Sequence, residues 1–176
     1  MTRNFIQQLR RRFGSSATFL GQFGYSINGG EYAWERNRVV DQGLNYILNA
    51  GLRGEGVLSS FYIAPFAANV TPAANLTAAT FASAMTEFTN YDESARPQWN
   101  TDASSTALEL VNNTAPALIT IGAGGQTTIW GAGLISVSPK SSTSGLLVAA
   151  QKRGTALTVE DDFELRIKYR ITAASS

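Results

Sequence analysis

Nine residues near the C-terminus alternate without a break: Phe163-Glu164-Leu165-Arg166-Ile167-Lys168-Tyr169-Arg170-Ile171. Successive side chains on a strand point to opposite faces. Phe163, Leu165, Ile167, Tyr169 and Ile171 therefore share one face, and Glu164, Arg166, Lys168 and Arg170 share the other. A strand with one apolar and one charged face belongs to an antiparallel sheet with a single wet side. This segment alone excludes an all-helical fold.

The rest of the second half follows the same rule. Short apolar runs at Ala107–Val111, Ala117–Ile121, Thr127–Val137 and Leu146–Ala150 are separated by turn-forming stretches, with a turn expected over Gly154–Val159. Strands at this spacing predict an antiparallel β-sandwich or jelly-roll-like module. Gly131 and Gly133 inside the longest run predict a bulge or a close backbone approach. Two short helices are expected before it. One spans residues 37–52, capped by Asn37, with Val40, Leu44, Ile47 and Leu48 as its apolar stripe and Gly51 and Gly54 at its end. Gly43 inside that helix costs about 1 kcal/mol relative to Ala, which implies close packing. The other spans residues 77–88, with Phe81, Ala84, Met85 and Phe88 on one face. Between the helices, Val57–Phe66 reads as a buried strand whose Pro65 marks an end or an edge.

The chain has 176 residues, which suits one domain with a short extension. Residues 1–30 read as a basic and aromatic N-terminal arm, and residues 31–176 as the sandwich domain. Phe5, Leu9 and Phe13 fall at helical spacing beside Arg10, Arg11 and Arg12. Arg3, Arg10, Arg11 and Arg12 all precede the first acid, Glu31. Phe19, Leu20, Phe23 and Tyr25 follow, as a strand or as an arm docked on a neighbour. Arg3, Arg10, Arg11, Arg12, Phe19, Phe23 and Tyr25 are therefore the candidate partner-binding residues.

Chemistry is sparse. Charged residues make up 15% of the chain, against about 25% in ordinary usage. There is no histidine and no cysteine, which excludes a Ser-His-Asp triad, a thiolate metal site and a disulfide framework. The acid pairs Asp92-Glu93 and Asp161-Asp162 lack metal-loop spacing and read as turns. Gly122-Ala123-Gly124-Gly125 lacks the Lys-Ser/Thr of a phosphate loop and reads as a hairpin turn. Asn69-Val70-Thr71, Asn75-Leu76-Thr77 and Asn112-Asn113-Thr114 are chance sequon matches in an Asn- and Thr-rich chain. Trp34, Trp99 and Trp130 are scattered, one per region, and read as core or interface. No catalytic residue, cofactor or metal ligand is expected. A net charge of +1 with no basic stripe argues against nucleic acid as a partner. No long apolar run argues for a membrane span, and the Arg-rich start reads as no secretory signal.

One stretch resembles a known family. The order Val39-Val40-Asp41-Gln42-Gly43-Leu44-Asn45-Tyr46-Ile47-Leu48, then Phe61-Tyr62-Ile63-Ala64-Pro65-Phe66, then Thr86-Glu87-Phe88-Thr89-Asn90-Tyr91 and Ser94-Ala95-Arg96-Pro97-Gln98-Trp99, then Gly145-Leu146-Leu147-Val148-Ala149-Ala150, resembles small virion structural proteins of tailed bacteriophages. The resemblance covers residues 37–172, and its most specific part runs from Thr86 to Trp99. It implies a non-enzymatic particle component, foremost a capsid decoration (cement) protein on the shell exterior. The implied partners are the major capsid protein or another virion protein, and further copies of the chain in a dimer or trimer. A neck, tail or fibre-associated role and a host-surface glycan-binding module are the alternatives. The family carries no catalytic or ligand motif to transfer.

Overall fold

The computed structural model describes residues 17–102 and 108–175. Nine strands form two antiparallel sheets. They are β1 (Ala17–Ile27), β2 (Ala33–Arg36), β3 (Arg38–Val39), β4 (Tyr62–Phe66), β5 (Glu109–Val111), β6 (Ala117–Thr120), β7 (Thr128–Ile135), β8 (Leu147–Thr158) and β9 (Glu164–Ser175). The helices are α1 (Asp41–Leu48), which runs on into a π-helical turn over Asn49–Arg53, and α2 (Ala78–Ala84). The first sheet has the order β2-β1-β9-β5, with β6 also on β9. The second has the order β3-β8-β7-β4. The chain is mainly β, a sandwich with two short helices among the described residues.

The alternating C-terminal strand is the spine of the first sheet. β9 pairs with β1 from Ala17↔Ser175 to Ile27↔Leu165. On its other side it pairs with β5 near its end and β6 near its start. Leu165, Ile167 and Tyr169 are fully buried, while Arg166, Lys168 and Arg170 stay partly exposed. The inner residues meet Ile63, Ile119, Ile129, Ala132, Leu134 and Val159 in the main core. A second core lies on the far side of the second sheet, where Phe66, Ile135, Leu147 and Ala150 pack under Phe81 and Met85 of the α2 region. The second sheet is thus covered on both faces, and the molecule has three layers.

The break between β5 and β6 is bridged by a side chain. Asn112 is fully buried. Its Oδ1 accepts from the Tyr169 N–H at 2.8 Å, and its Nδ2 donates to the Ile167 carbonyl at 3.3 Å. The amide satisfies β9 backbone groups that no strand residue reaches, as buried polar groups require. Asp102 holds the adjoining turn through the N–H groups of Asn113 and Thr114 and through the Thr114 hydroxyl.

Several sequence expectations change in the structure. Residues 17–27 are not an arm: they form a full strand, with Phe23 and Tyr25 at 0% and 2% exposure. The sandwich therefore begins at residue 17 rather than 31, and a deletion reaching Ile27 removes a core strand. The first helix starts at Asp41, not Asn37, because residues 38–39 pair with β8. It also turns a different face inward. Gly43 is buried against Val148, whereas Leu44 and Leu48 are 38% and 52% exposed. Gly54 ends the segment in the left-handed conformation, with φ of 66°. The strand expected over residues 57–66 shortens to β4, and Val57 is exposed. Pro65 does sit in an edge strand. The second helix stops at Ala84 because Thr86 adopts φ of 50°. Glu87 then bridges to Phe66, and the Phe88 N–H donates to the Pro65 carbonyl. Ala84 itself is exposed. Residues 154–158, within the turn expected over Gly154–Val159, belong to β8 instead, and its pairing with β7 resumes at Leu157 and Thr158 beyond a register shift at Ile129/Gly131. That shift is the irregularity expected near Gly131.

Candidate functional site

The stretch from Thr86 to Trp99 has no regular secondary structure beyond isolated bridges, yet it is tied down along its length. Its centre is the Glu87–Arg96 pair. Arg96 Nε donates to Glu87 Oε1 at 2.8 Å, and Nη2 donates to Oε2 at 2.7 Å. The side chains are 0% and 1% exposed. The other ion pairs among the described residues lie at the surface or half-buried. The two parallel bonds form the fork geometry that guanidinium and carboxylate allow. The remaining valences are also filled. Arg96 Nη1 donates to the Val137 carbonyl at 3.0 Å, and the Ser141 N–H donates to Glu87 Oε2 at 3.0 Å. The pair therefore links the segment to the loop after β7.

The neighbours add further ties. Phe88 is fully buried and Tyr91 nearly so. Lys140 Nζ donates to the Tyr91 carbonyl at 2.7 Å and stands 3.5 Å from the centre of the Tyr91 ring. Desolvation draws its ammonium below the ordinary lysine value, with Glu93 and Asp92 pulling it back. Glu93 accepts the Thr120 N–H with both oxygens. The Pro97 carbonyl accepts the Ile63 N–H. Trp99 donates its indole N–H to the Tyr169 carbonyl at 3.0 Å and its ring packs edge-on against Tyr169. Such an arrangement positions backbone. It leaves the Arg96 and Glu87 side chains no access to a ligand.

Asn90 plays a similar part for the glycine loop. Its Nδ2 donates to the carbonyls of Gly122, Gly124 and Gln126. Phosphate cradles present N–H groups to the ligand; here carbonyls converge, and on an internal amide. The loop also differs from the expected hairpin turn, because it carries the chain from β6 in one sheet to β7 in the other. Asp92 is exposed and Glu93 is engaged as above, so the two acids do not converge. Asp162 lies in a turn with φ of 63°, as expected of that pair.

The candidate partner-binding residues separate. Arg3, Arg10, Arg11 and Arg12 lie outside the described residues. Phe23 and Tyr25 face the core and cannot present their rings to a partner. Phe19 is half-buried and lines an apolar groove with Leu110 and Ile171. Sequence reasoning missed the outer face of the first sheet. There Trp34 covers Gly24, Arg170 stacks on Trp34 at 4.5 Å and Lys168 on Tyr32 at 4.3 Å. The signal was present in Tyr32-Ala33-Trp34, whose two rings share one face at strand spacing. Trp99 joins the main core and Trp130 packs against the second.

A shallow cleft of about 610 Å³ lies between α1, the turn after it and the Ser136–Leu146 loop, lined by Gln42, Tyr46, Glu55 and Leu58. Glu55 is the one carboxylate on its wall, and it pairs with Arg53 at 3.0 Å. The described residues contain no group of three or more acids that could hold a metal ion. No helix among them is long and apolar enough to cross a membrane.

Three buried phenols give the fold an alkaline limit. Tyr25 donates to Gln151 Oε1 at 2.6 Å beneath the Arg153 guanidinium. Tyr169 accepts from Asn37 Nδ2. Burial raises both far above the ordinary phenol value, and burial with help from Glu87 raises Tyr91. Unfolded tyrosine ionises near pH 10. A raised folded value means that the stabilisation is complete below that pH and is lost progressively above it. In an ultraviolet titration of the six tyrosines, these three should ionise only as the circular dichroism collapses. Reversible ionisation of all six with the dichroism intact would contradict this.

No protein-family model matches the chain, and no curated protein matches it.

Proposed function

We propose that the chain is a non-enzymatic virion structural protein of a tailed bacteriophage, a capsid decoration protein that binds and stabilises the shell of major capsid protein from outside. The observation that carries this reading is the use made of its most family-like stretch. From Glu87 to Trp99, the charged and aromatic groups described above bond inward and hold two sheets together. That is the pattern of a stiff spacer whose work is done by shape. The face left for contact is the outer side of the first sheet, with Tyr32, Trp34, Arg166, Lys168 and Arg170. Mixed cation–aromatic surfaces of this kind suit protein interfaces, where Arg, Trp and Tyr are enriched.

Purified particles provide the test. A decoration protein is present in hundreds of copies on the head, whereas a neck or tail ring holds about a dozen, as closed symmetry dictates. Added back to stripped heads, the protein should raise their melting temperature, because it binds the assembled shell and not free subunits. A ring-like copy number would move the reading to neck, tail or fibre. The adjacent rings of Tyr32 and Trp34, 6.2 Å apart, favour a glycan-binding module, and a glycan array would expose it.

A further inference from the structure

The outer face of the first sheet carries more positive charge than its own acids answer. Arg36, Gln22 and Arg170 stand in one lateral row across β2, β1 and β9. Residues directly opposite on antiparallel strands share a face. With Leu20 and Thr172 they line a pocket of about 230 Å³, and no carboxylate among the described residues stands on its wall. Two guanidiniums in one concave site focus positive potential there and attract an anion. We propose that this pocket is an oxyanion site, and that it takes the carboxylate of an acidic segment on a partner protein.

The sheet prepares the site. Neighbouring strands lie about 4.8 Å apart, which puts the Cα atoms of Arg36 and Arg170 about 10 Å from each other. Side chains as long as arginine's close that span onto one oxyanion placed over Gln22. Arg170 is already oriented: its guanidinium carbon lies 4.5 Å from the centre of the Trp34 ring, and Nη2 donates to Gln22 Oε1. That bond leaves the Gln22 Nε2 as a further donor. Glu109 approaches Arg170 only to 3.7 Å from Nε, beyond hydrogen-bonding distance. Arg36 is exposed and makes no ion pair among the described residues. Both guanidiniums therefore keep donors for the forked bonds that they make to carboxylates.

The surroundings choose the occupant. Leu20, 57% exposed, lies on the pocket wall, and Trp34 lies beside it under Arg170. Arginine next to aromatic and apolar surface is the composition of a protein interface. The strand residues of this face carry four cations, Arg36, Arg166, Lys168 and Arg170, and two acids, Glu109 and Glu164, the latter paired with Arg166 at 2.9 Å. So small an excess makes a local clamp, not the track of phosphate contacts that nucleic acid requires. The inference rests on the reading of this face as the contact surface and adds the chemistry of what it contacts.

The test is a titration of the full chain with hexaglutamate at constant ionic strength. Nitrogen–proton correlation spectra should show saturable shifts at the Trp34 indole and at the Nε–H groups of Arg36 and Arg170. Arg36→Gln, at an exposed edge position where the fold tolerates change, should weaken binding about tenfold by removing charge-assisted bonds. Arg170→Lys keeps the charge but loses the fork, so it should weaken binding too. Arg38→Gln, an exposed arginine outside the pocket, should leave it unchanged. No saturable binding would overturn the site, whatever particles show. Equal weakening by Arg36→Gln and Arg38→Gln would reduce the site to general attraction and overturn it as well. Tighter binding of inorganic phosphate or of hexathymidylate than of hexaglutamate would overturn the carboxylate as the ligand. Hexaglutamate binding at these arginines without attachment to stripped heads would support the site and count against the virion reading alone.

Discussion

Replacing Arg96 with alanine is expected to cost about 3–5 kcal/mol, a large part of the roughly 5–15 kcal/mol that holds a domain of this kind folded. The cost comes from what stays behind. Glu87 would keep the Ser141 N–H as a partner but lose both guanidinium bonds, with its carboxylate 1% exposed. The Val137 carbonyl would lose its donor as well. A buried charge without its counterpart is far more costly than the pair itself is stabilising. The double variant Arg96→Met with Glu87→Leu should therefore be markedly more stable than either single one. Urea unfolding of the three proteins measures this. A loss below about 1 kcal/mol for Arg96→Ala, the range of exposed pairs, would mean that the pair is hydrated in solution.

Gly43→Ala is the second large effect, and its sign is the informative part. Helix propensity alone favours alanine by about 1 kcal/mol in a helix interior. The tertiary structure reverses this. A Cβ at residue 43 would collide with the Val148 carbonyl oxygen and lie 2.7 Å from both its carbonyl carbon and its Cα. These are backbone atoms of β8, so no side-chain rotation relieves the clash. The Val148 oxygen also accepts the Val40 N–H at the start of α1. Pushing helix and strand apart would strain that bond and open the contact between them. The expected loss is about 1–3 kcal/mol, the usual range for overpacking. Thermal unfolding would show a lower melting temperature. A rise would mean that the helix is free to shift away from the sheet at no cost.

Legibility in the sequence followed the physics of each segment. β9 was readable residue by residue because one sheet face meets the core and the other meets water, so alternation is imposed at each position. The irregularity near Gly131, the edge position of Pro65 and the turn at Asp161-Asp162 were readable because each rests on a local backbone restriction. Helix boundaries were less so. Asn37 has the right chemistry for a cap, but its backbone neighbours are drawn into β3, and its amide donates to the Tyr169 hydroxyl instead. The stripe of Val40, Leu44, Ile47 and Leu48 pointed to the wrong centre, because the inward residue is the one with no side chain. The turn expected at Gly154–Val159 failed for another reason. A glycine at an exposed position of a long strand costs little when the ladder on β7 resumes beyond it.

The site was the least legible part. Glu87, Asn90, Arg96 and Asn112 look like solvated loop residues in a linear reading, since nothing local indicates that Glu87, Arg96 and Asn112 will be buried and Asn90 half-buried. The partners that tie them to the sheets and loops lie as far as 57 residues away along the chain. The chain by itself determined that the fold is an antiparallel sandwich and which side of β9 faces inward, because alternation is a local consequence of strand geometry. Only the tertiary structure decided that residues 17–27 are core and not arm, and that the charged stretch between α2 and β5 is an internal brace. Both depend on which distant segment arrives to bury them, and burial is a property of the assembled layers.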